Sequence, residues 1–212
     1  MSLGSAVRRA LGPLEPLAIR AYRGAFIDLD SLAMTIGSVA PNAKRILEIG
    51  CGDGAMAAAL RRVLPKSDLL GIDPGVAAPG RMYDGDPDGV EFRPVTTTEL
   101  LAAGELPFDL VVLCDVVHHV AEDQREQVLR EAAALTAPGG TVAVKEWEHR
   151  RGLGRRVAYV ADRFVSGDAT VRFMPQTEID ALIDAAMPGW PRTCESRIPP
   201  RRANLLVTHR RP

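Results

Sequence analysis

Arg45-Ile46-Leu47-Glu48-Ile49-Gly50-Cys51-Gly52-Asp53-Gly54 decides how this chain is read. A short apolar run ends in alternating glycines. Residues 55–64, rich in Ala and Leu, follow directly, and Pro65 stops them. The run predicts a buried strand and the Ala/Leu segment a helix. Glycines between them let the chain turn tightly and let a ligand lie against bare backbone. The helix then offers unpaired N–H groups and the positive end of its dipole. Residues 68–73 read as a second short strand ending at Asp73, 19 residues after Gly54. An acid there can accept hydrogen bonds from a ribose diol.

The same alternation continues outward. Residues 90–95 predict a third strand. Residues 108–115 predict a fourth, whose five consecutive apolar residues imply burial on both faces. Residues 122–135 predict a helix stopped by Pro138-Gly139-Gly140, and residues 141–144 a fifth strand. Strands alternating with helices of this length predict a parallel sheet covered on both faces. Upstream, Leu29, Leu32, Ala33, Ile36 and Val39 share one helical face, with Asp28 and Asp30 at its start and Pro41 at its end. Downstream, residues 152–164 and 176–187 predict helices, the second with Thr177 and Asp180 as a weakened capping box. A last strand, residues 204–208, follows the turn Ile198-Pro199-Pro200.

Composition bounds the rest. With 212 residues, 46% hydrophobic and 25% charged, the chain fits one globular domain. Its longest uncharged windows are residues 31–43 and 132–144, too short for the roughly 18–20 apolar residues of a spanning helix. Arg8 and Arg9 precede an apolar run broken by Gly12, Pro13, Glu15 and Pro16, a poor secretory signal. Three cysteines without a CxxC pair indicate neither a disulfide framework nor a zinc site. A soluble cytoplasmic protein is the expectation.

Net charge is −1, but residues 148–212 hold twelve arginines against seven acids, a surplus of five. Two readings stay open: an arginine-rich composition in a chain with three lysines, or a face turned to an acidic partner. Aromatic interleaving of the nucleic-acid-binding kind is lacking.

The glycines fit two cofactor classes. Gly50-x-Gly52-x-x-Ala55 formally satisfies the dinucleotide fingerprint. Against it, Glu48 would repel a pyrophosphate and suits a ligand carrying an ammonium. A Tyr-x-x-x-Lys reductase pair is also missing. The chain resembles the class I S-adenosylmethionine-dependent methyltransferases, small-molecule branch, from about Lys44 to Trp147. The residues that carry the likeness are Glu48-x-Gly50-x-Gly52-x-Gly54, Gly71-Ile72-Asp73, residues 108–120 and Leu135-x-x-Pro138-Gly139-Gly140.

That resemblance implies a Rossmann-like, doubly wound, mostly parallel seven-stranded α/β sheet. Its last strand is antiparallel, with residues 193–197 and 204–208 as the final pair. It also implies an N-terminal helical cap, residues 1–40, over a methyltransferase domain, residues 41–212. It places Gly50, Cys51, Gly52, Asp53 and Gly54 against the methionine part of S-adenosylmethionine, and Glu48 behind the loop or the amino group. Asp73 would take the ribose, Pro74 the adenine face, and Val95 and Thr96 its edge. Asp115 and Val116 would line the methyl-transfer channel. An acid for the adenine amino group, common in relatives, is replaced here by Val95-Thr96-Thr97-Thr98.

Methyl transfer from a sulfonium needs alignment and exclusion of water, and a base only for a weakly acidic acceptor. His118 and His119, after the fourth strand, are candidate bases, against the alternative that they cap and pack the next turn. Glu146, in Lys145-Glu146-Trp147-Glu148-His149, stands at the fifth strand's end, where an acceptor pocket or a solvated strand end are both open. Asp115 with Glu146 could chelate magnesium, but the usual Asp-Asn pair is missing, so no metal is assigned. Tyr22-Arg23 is a candidate for the cofactor carboxylate, against the alternative of half-buried packing beside a solvated charge. Arg150, Arg151, Arg155, Arg156 and Arg163 favour an acidic small-molecule acceptor: a carboxylate, phosphate or lipid- or sugar-linked group. O-methylation is expected, with an NAD(P)-dependent oxidoreductase or a non-catalytic cofactor-binding module as alternatives. Neither nucleic acid nor membrane insertion is expected, and the oligomeric state is left open.

Overall fold

Alternation of apolar runs and amphipathic segments gives seven strands and five α-helices among the described residues. The computed structural model describes Gly24 and residues 26–148, 172–200 and 203–212. In chain order the elements are α1 (Leu29–Val39), β1 (Arg45–Ile49), α2 (Ala55–Val63), β2 (Asp68–Ile72) and β3 (Val90–Arg93). They continue with α3 (Thr97–Ala102), β4 (Phe108–Cys114), α4 (Arg125–Leu135), β5 (Thr136–Trp147), α5 (Gln176–Ala186), β6 (Arg192–Arg197) and β7 (Asn204–Arg210). The strands form one sheet in the order β3-β2-β1-β4-β5-β7-β6. β3 to β5 pair in parallel, and β7 runs antiparallel to both β5 and β6.

Side chains alternate across the central strands and so feed two cores. Leu47, Ile49, Val111 and Leu113 pack with Leu100 of α3, Leu129 of α4 and Ile179 of α5. Ile46, Leu110 and Val112 pack on the other face with Leu32 and Ile36 of α1 and Leu60 of α2. Each fully buried Leu or Ile contributes roughly 1.5–3 kcal/mol of transfer free energy. The α1 stripe expected from the sequence is therefore one wall of a core. Asp28 caps α1 and accepts from Ser31 N–H at 2.9 Å, which holds its carboxyl below the usual range.

Several boundaries differ from the sequence reading. β3 ends at Arg93 rather than at 95. Pro138-Gly139-Gly140 does not separate helix from strand, because β5 starts at Thr136 and runs through them. The price is an irregular register: Phe108 pairs with Thr136, but Leu110 pairs with Thr141. The segment expected as one helix from 122 is a 3-10 turn, Glu122–Gln124, followed by α4. α5 starts after Pro175, not at a Thr177 cap. Among the described residues, a capping box is formed by Thr96 with Glu99 at the start of α3. The expected helix at 152–164, Tyr22-Arg23 and the arginines at 150, 151, 155, 156 and 163 lie outside the described residues. No helix among the described residues is long and apolar enough to cross a membrane.

Candidate functional site

The parallel strands β1, β2, β4 and β5 end on one edge of the sheet, where their loops converge. Beyond β1, Gly50 and Cys51 donate to the carbonyl of Ile72 at 2.7 and 3.1 Å, binding the glycine loop to the end of β2. Gly50 has φ +71, and a Cβ there would come within 2.5 Å of Val116 Cγ2, so only glycine fits. Gly52 has φ +52 with open space where its Cβ would be, a bare backbone face for a ligand. Gly54, at φ 87, begins α2 without a side-chain cap. Asp53 Oδ1 accepts from Ala55 N–H at 3.2 Å.

Asp73 stands beside this loop. Its Oδ2 accepts from Gly52 N–H at 2.9 Å and its Oδ1 from Gly75 N–H at 2.8 Å. The acid expected to meet a ribose thus also braces the glycine loop, each oxygen keeping a further lone pair. Pro74 is exposed next to it, while Val95 and Thr96 are half-buried beyond β3. Glu48, 2% exposed, lies in β1 between Gly71 and Val112. Cys51 is buried, and burial with the nearby Glu48 and Asp73 pushes its thiol far above the ordinary range. It is an inert packing residue.

The ends of β4 and β5 are built differently, from buried charged side chains. Among described residues other than glycine, Asp115 alone has positive φ, at 56. Its N–H donates to the carbonyl of Lys145 at 2.8 Å, and Lys145 Nζ returns to Asp115 Oδ2 at 2.5 Å. Lys145 is 1% exposed. Burial alone would pull its ammonium down, but the charge and hydrogen bond of Asp115 outweigh this and hold it above the ordinary lysine value. The same burial drives the Cys114 thiol up.

The chain then turns through a 3-10 turn, Val117–His119. Glu146 Oε1 accepts from Val116 N–H at 3.1 Å and Val117 N–H at 2.7 Å, and Glu146 Oε2 meets His118 Nδ1 at 2.6 Å. Both Glu146 and the His118 ring are fully buried. With Nδ1 donating to the carboxylate, Nε2 carries the lone pair. His119 stacks on His118 at 4.2 Å between centroids, and Phe173 lies at 5.2 Å. Trp147 packs between Phe26 and Phe173. Asp115, His118 and Glu146 offer ligand atoms within 4.8 Å of one another. Of the three, Asp115 is paired with the Lys145 ammonium, and Glu146 serves two amides and an imidazole.

The structure brings His118 and Glu146, named in the sequence reading from two separate loops, into contact, and adds Lys145, to which that reading gives no role of its own. A lysine inside a strand otherwise buried on both faces was the signal. A cavity of about 450 Å3 lies nearby, between the start of α1, the first turn of α2 and the Pro199-Pro200 turn. Asp28, Asp30, Asp84 and Arg62 supply its charges.

Comparison with known proteins agrees with this fold. Residues 47–142 match the family model described as a methyltransferase domain. The ubiquinone biosynthesis O-methyltransferase of Azorhizobium caulinodans is 35% identical over 138 residues, covering 62% of this chain and 49% of that protein. The chain spans about half the length of this and similar curated relatives. Among solved structures, the S-adenosylmethionine-dependent methyltransferase SibL superposes with a TM-score of 0.73 at 20% identity, covering 96% of this chain and 60% of that one. A Burkholderia thailandensis 1,6-didemethyltoxoflavin-N1-methyltransferase, solved with S-adenosylhomocysteine, gives 0.67 at 17% identity, covering 98% and 88%.

Proposed function

We propose, from the premise that this chain belongs to the class I S-adenosylmethionine-dependent methyltransferases, that it methylates an oxygen of a small molecule with His118 as the base. S-adenosylmethionine, when bound, supplies an electrophilic methyl on a good leaving group. The loop of Gly50, Cys51, Gly52, Asp53 and Gly54 supports its methionine part, with Glu48 behind, and Asp73 takes the ribose. Pro74, Val95 and Thr96 flank the adenine. Asp115 and Val116 border the channel between cofactor and acceptor, and residues 1–40 cap it.

The observation that carries the base assignment is the buried pair of His118 Nδ1 and Glu146 Oε2 at 2.6 Å. Glu146 orients the ring and stabilises its protonated form, while Nε2 takes the proton from an acceptor hydroxyl as its oxygen attacks. His119 stacks on that ring. The two alternatives for the histidines merge in part, since His118 also packs on Phe173.

The relatives named for ubiquinone biosynthesis support an O-directed reaction on a small acceptor. An acidic acceptor is supported by Arg150, Arg151, Arg155, Arg156 and Arg163 in sequence alone. The described cavity carries three aspartates against one arginine. Paired replacement of Arg155 and Arg156 should weaken an acidic acceptor most at low salt. Unchanged affinity across a salt series would leave a neutral one.

The test of the main reading is S-adenosylhomocysteine formation from S-adenosylmethionine with a panel of small alcohols, phenols and acids. His118→Asn should lower kcat on the responding acceptor by about 10²–10⁴-fold, with cofactor affinity retained. Undiminished turnover would remove His118 from the chemistry. Thermal stabilisation by NAD(P)H alone would return the oxidoreductase reading.

A further inference from the structure

Lys145 is chemically unexpected where it stands. It occupies a strand whose other positions from 141 to 147 are buried, and its ammonium reaches no bulk water. A buried ion pair is weak evidence for stability, because an apolar pair of similar volume often packs as well or better. The pair does, however, sit on a histidine. Asp115, His118 and Glu146 bring oxygen and nitrogen atoms within 4.8 Å of one another. Two carboxylates so close both favour the imidazolium. Left unopposed, they would favour the protonated ring, and a protonated imidazole cannot accept a proton.

We propose that Lys145 is a positioning residue that keeps His118 free to act as a base, by neutralising Asp115 and fixing it in its left-handed turn. This rests on the reading of His118 as the base. Two contacts fix Asp115: its N–H on the Lys145 carbonyl at 2.8 Å and its carboxylate on Lys145 Nζ at 2.5 Å. One carboxylate, Glu146, is then left to orient the ring, and the second is cancelled.

The other charged and titratable groups around the ring do not substitute for Lys145. Cys114, on β4, is held as a neutral thiol by burial. Glu48, on β1, lies near enough to act on Cys114 and adds negative charge. His119, on the same turn, stacks on the ring. Arg125, on α4, spends Nε on the carbonyl of Val120 and lies 4.0 Å from Glu178. Arg172, before α5, donates its N–H to the His118 carbonyl, but its side chain is 46% exposed and paired with Glu178. Among the described residues, Lys145 is the cation placed inside the cluster.

The experiment is an NMR titration of the His118 ring in the cofactor-free protein, its signal assigned with His118→Gln. Lys145→Met should raise the His118 pKa by about one unit or more, the scale of removing one buried charge from a neighbouring ion pair. Lys145→Arg should leave it within a few tenths. Lys145→Met combined with Asp115→Asn should bring it back toward the parent value. An unmoved or lowered pKa in Lys145→Met overturns the proposal.

If Lys145→Met does not fold, Asp115→Asn alone decides. Asparagine tolerates the left-handed backbone, and loss of its charge should lower the His118 pKa. No change there also overturns the proposal. The acid limb of the kcat–pH profile separates the two readings. A limb that follows the NMR value in each variant supports both. An NMR shift that the limb ignores leaves Lys145 as the tuning residue and removes His118 as the base.

Discussion

The two halves of the candidate site lie on the same edge of one sheet and are made of different material. Beyond β1 and β2 the site is backbone: glycines with positive φ, N–H groups on Asp73, and a helix start without a side-chain cap. Beyond β4 and β5 it is side chain: Asp115, His118, Lys145 and Glu146 in a buried network. The first half is stabilised by conformations few residues can adopt. The second is stabilised by charges that must all be present together. Damage should therefore look different on the two sides, local and steric on one, cooperative and pH-dependent on the other.

The largest expected effect breaks the backbone half. In Gly50→Ala the new methyl meets Val116 Cγ2 at 2.5 Å on a residue with φ +71. Left-handed backbone costs about 1–2 kcal/mol and overpacking about 1–3 kcal/mol more. Gly52→Ala carries the first term without the second, since its Cβ would enter open space. Denaturant unfolding should rank Gly50→Ala well below Gly52→Ala, and cofactor titration should show Gly52→Ala impaired in binding out of proportion to its stability. Equal stabilities would mean that Val116 moves aside and the two loops are not coupled.

Next comes the side-chain half. Glu146→Gln keeps the shape but loses the charge that serves two amides and an imidazole. Hydrogen bonds to a buried charged group contribute about 1.5–3 kcal/mol, so a loss on the order of 2 kcal/mol is expected in urea unfolding. The Gln amide also no longer enforces one tautomer of His118, which nitrogen-15 shifts of the ring would report. A single unchanged tautomer would show that Glu146 is scaffold only.

A smaller effect tests how local the backbone half is. Thr96 caps α3, accepting from Glu99 N–H at 3.1 Å while Glu99 returns to Thr96 N–H at 2.8 Å. These bonds lower the Glu99 carboxyl. Thr96→Ala should cost about 1 kcal/mol. If Thr96 also flanks the adenine, cofactor affinity falls with it; if it is a cap alone, affinity stays.

The same division explains what the sequence made legible. Alternating apolar runs and glycine punctuation are local signals, and they mark six of the seven strands and the loop of residues 50–54, while the mostly exposed β6 is legible only through the family resemblance. Asp73 was visible because it follows its strand at a fixed distance. The pairing of His118 with Glu146 spans 28 positions and depends on β4 and β5 lying side by side. No local pattern encodes that. β5 was read too short because Pro138-Gly139-Gly140 punctuates like a loop. In the sheet it fits as an exposed entry to the strand, closed by Gly139 N–H on the Arg211 carbonyl. Lys145 has no legible role in the sequence because its partner, Asp115, is a neighbour only after folding.

A second buried histidine sharpens the comparison with the smallest expected effect. His209 lies near the end of β7 opposite Val142, at the sheet edge away from the site, and is 3% exposed. Burial and the nearby Arg192 cation lower its pKa, outweighing Asp184 and Asp180. The unfolded chain then binds a proton at a higher pH than the folded one, so stability rises with pH in that interval. His209 contributes nothing adverse above its ordinary pKa of about 6.5, and the fold loses stability as pH falls below that toward the lowered value. Urea unfolding from pH 7.5 to 5 should therefore show a loss that His209→Gln reduces. A His209→Gln profile that parallels the parent would mean that the loss arises elsewhere.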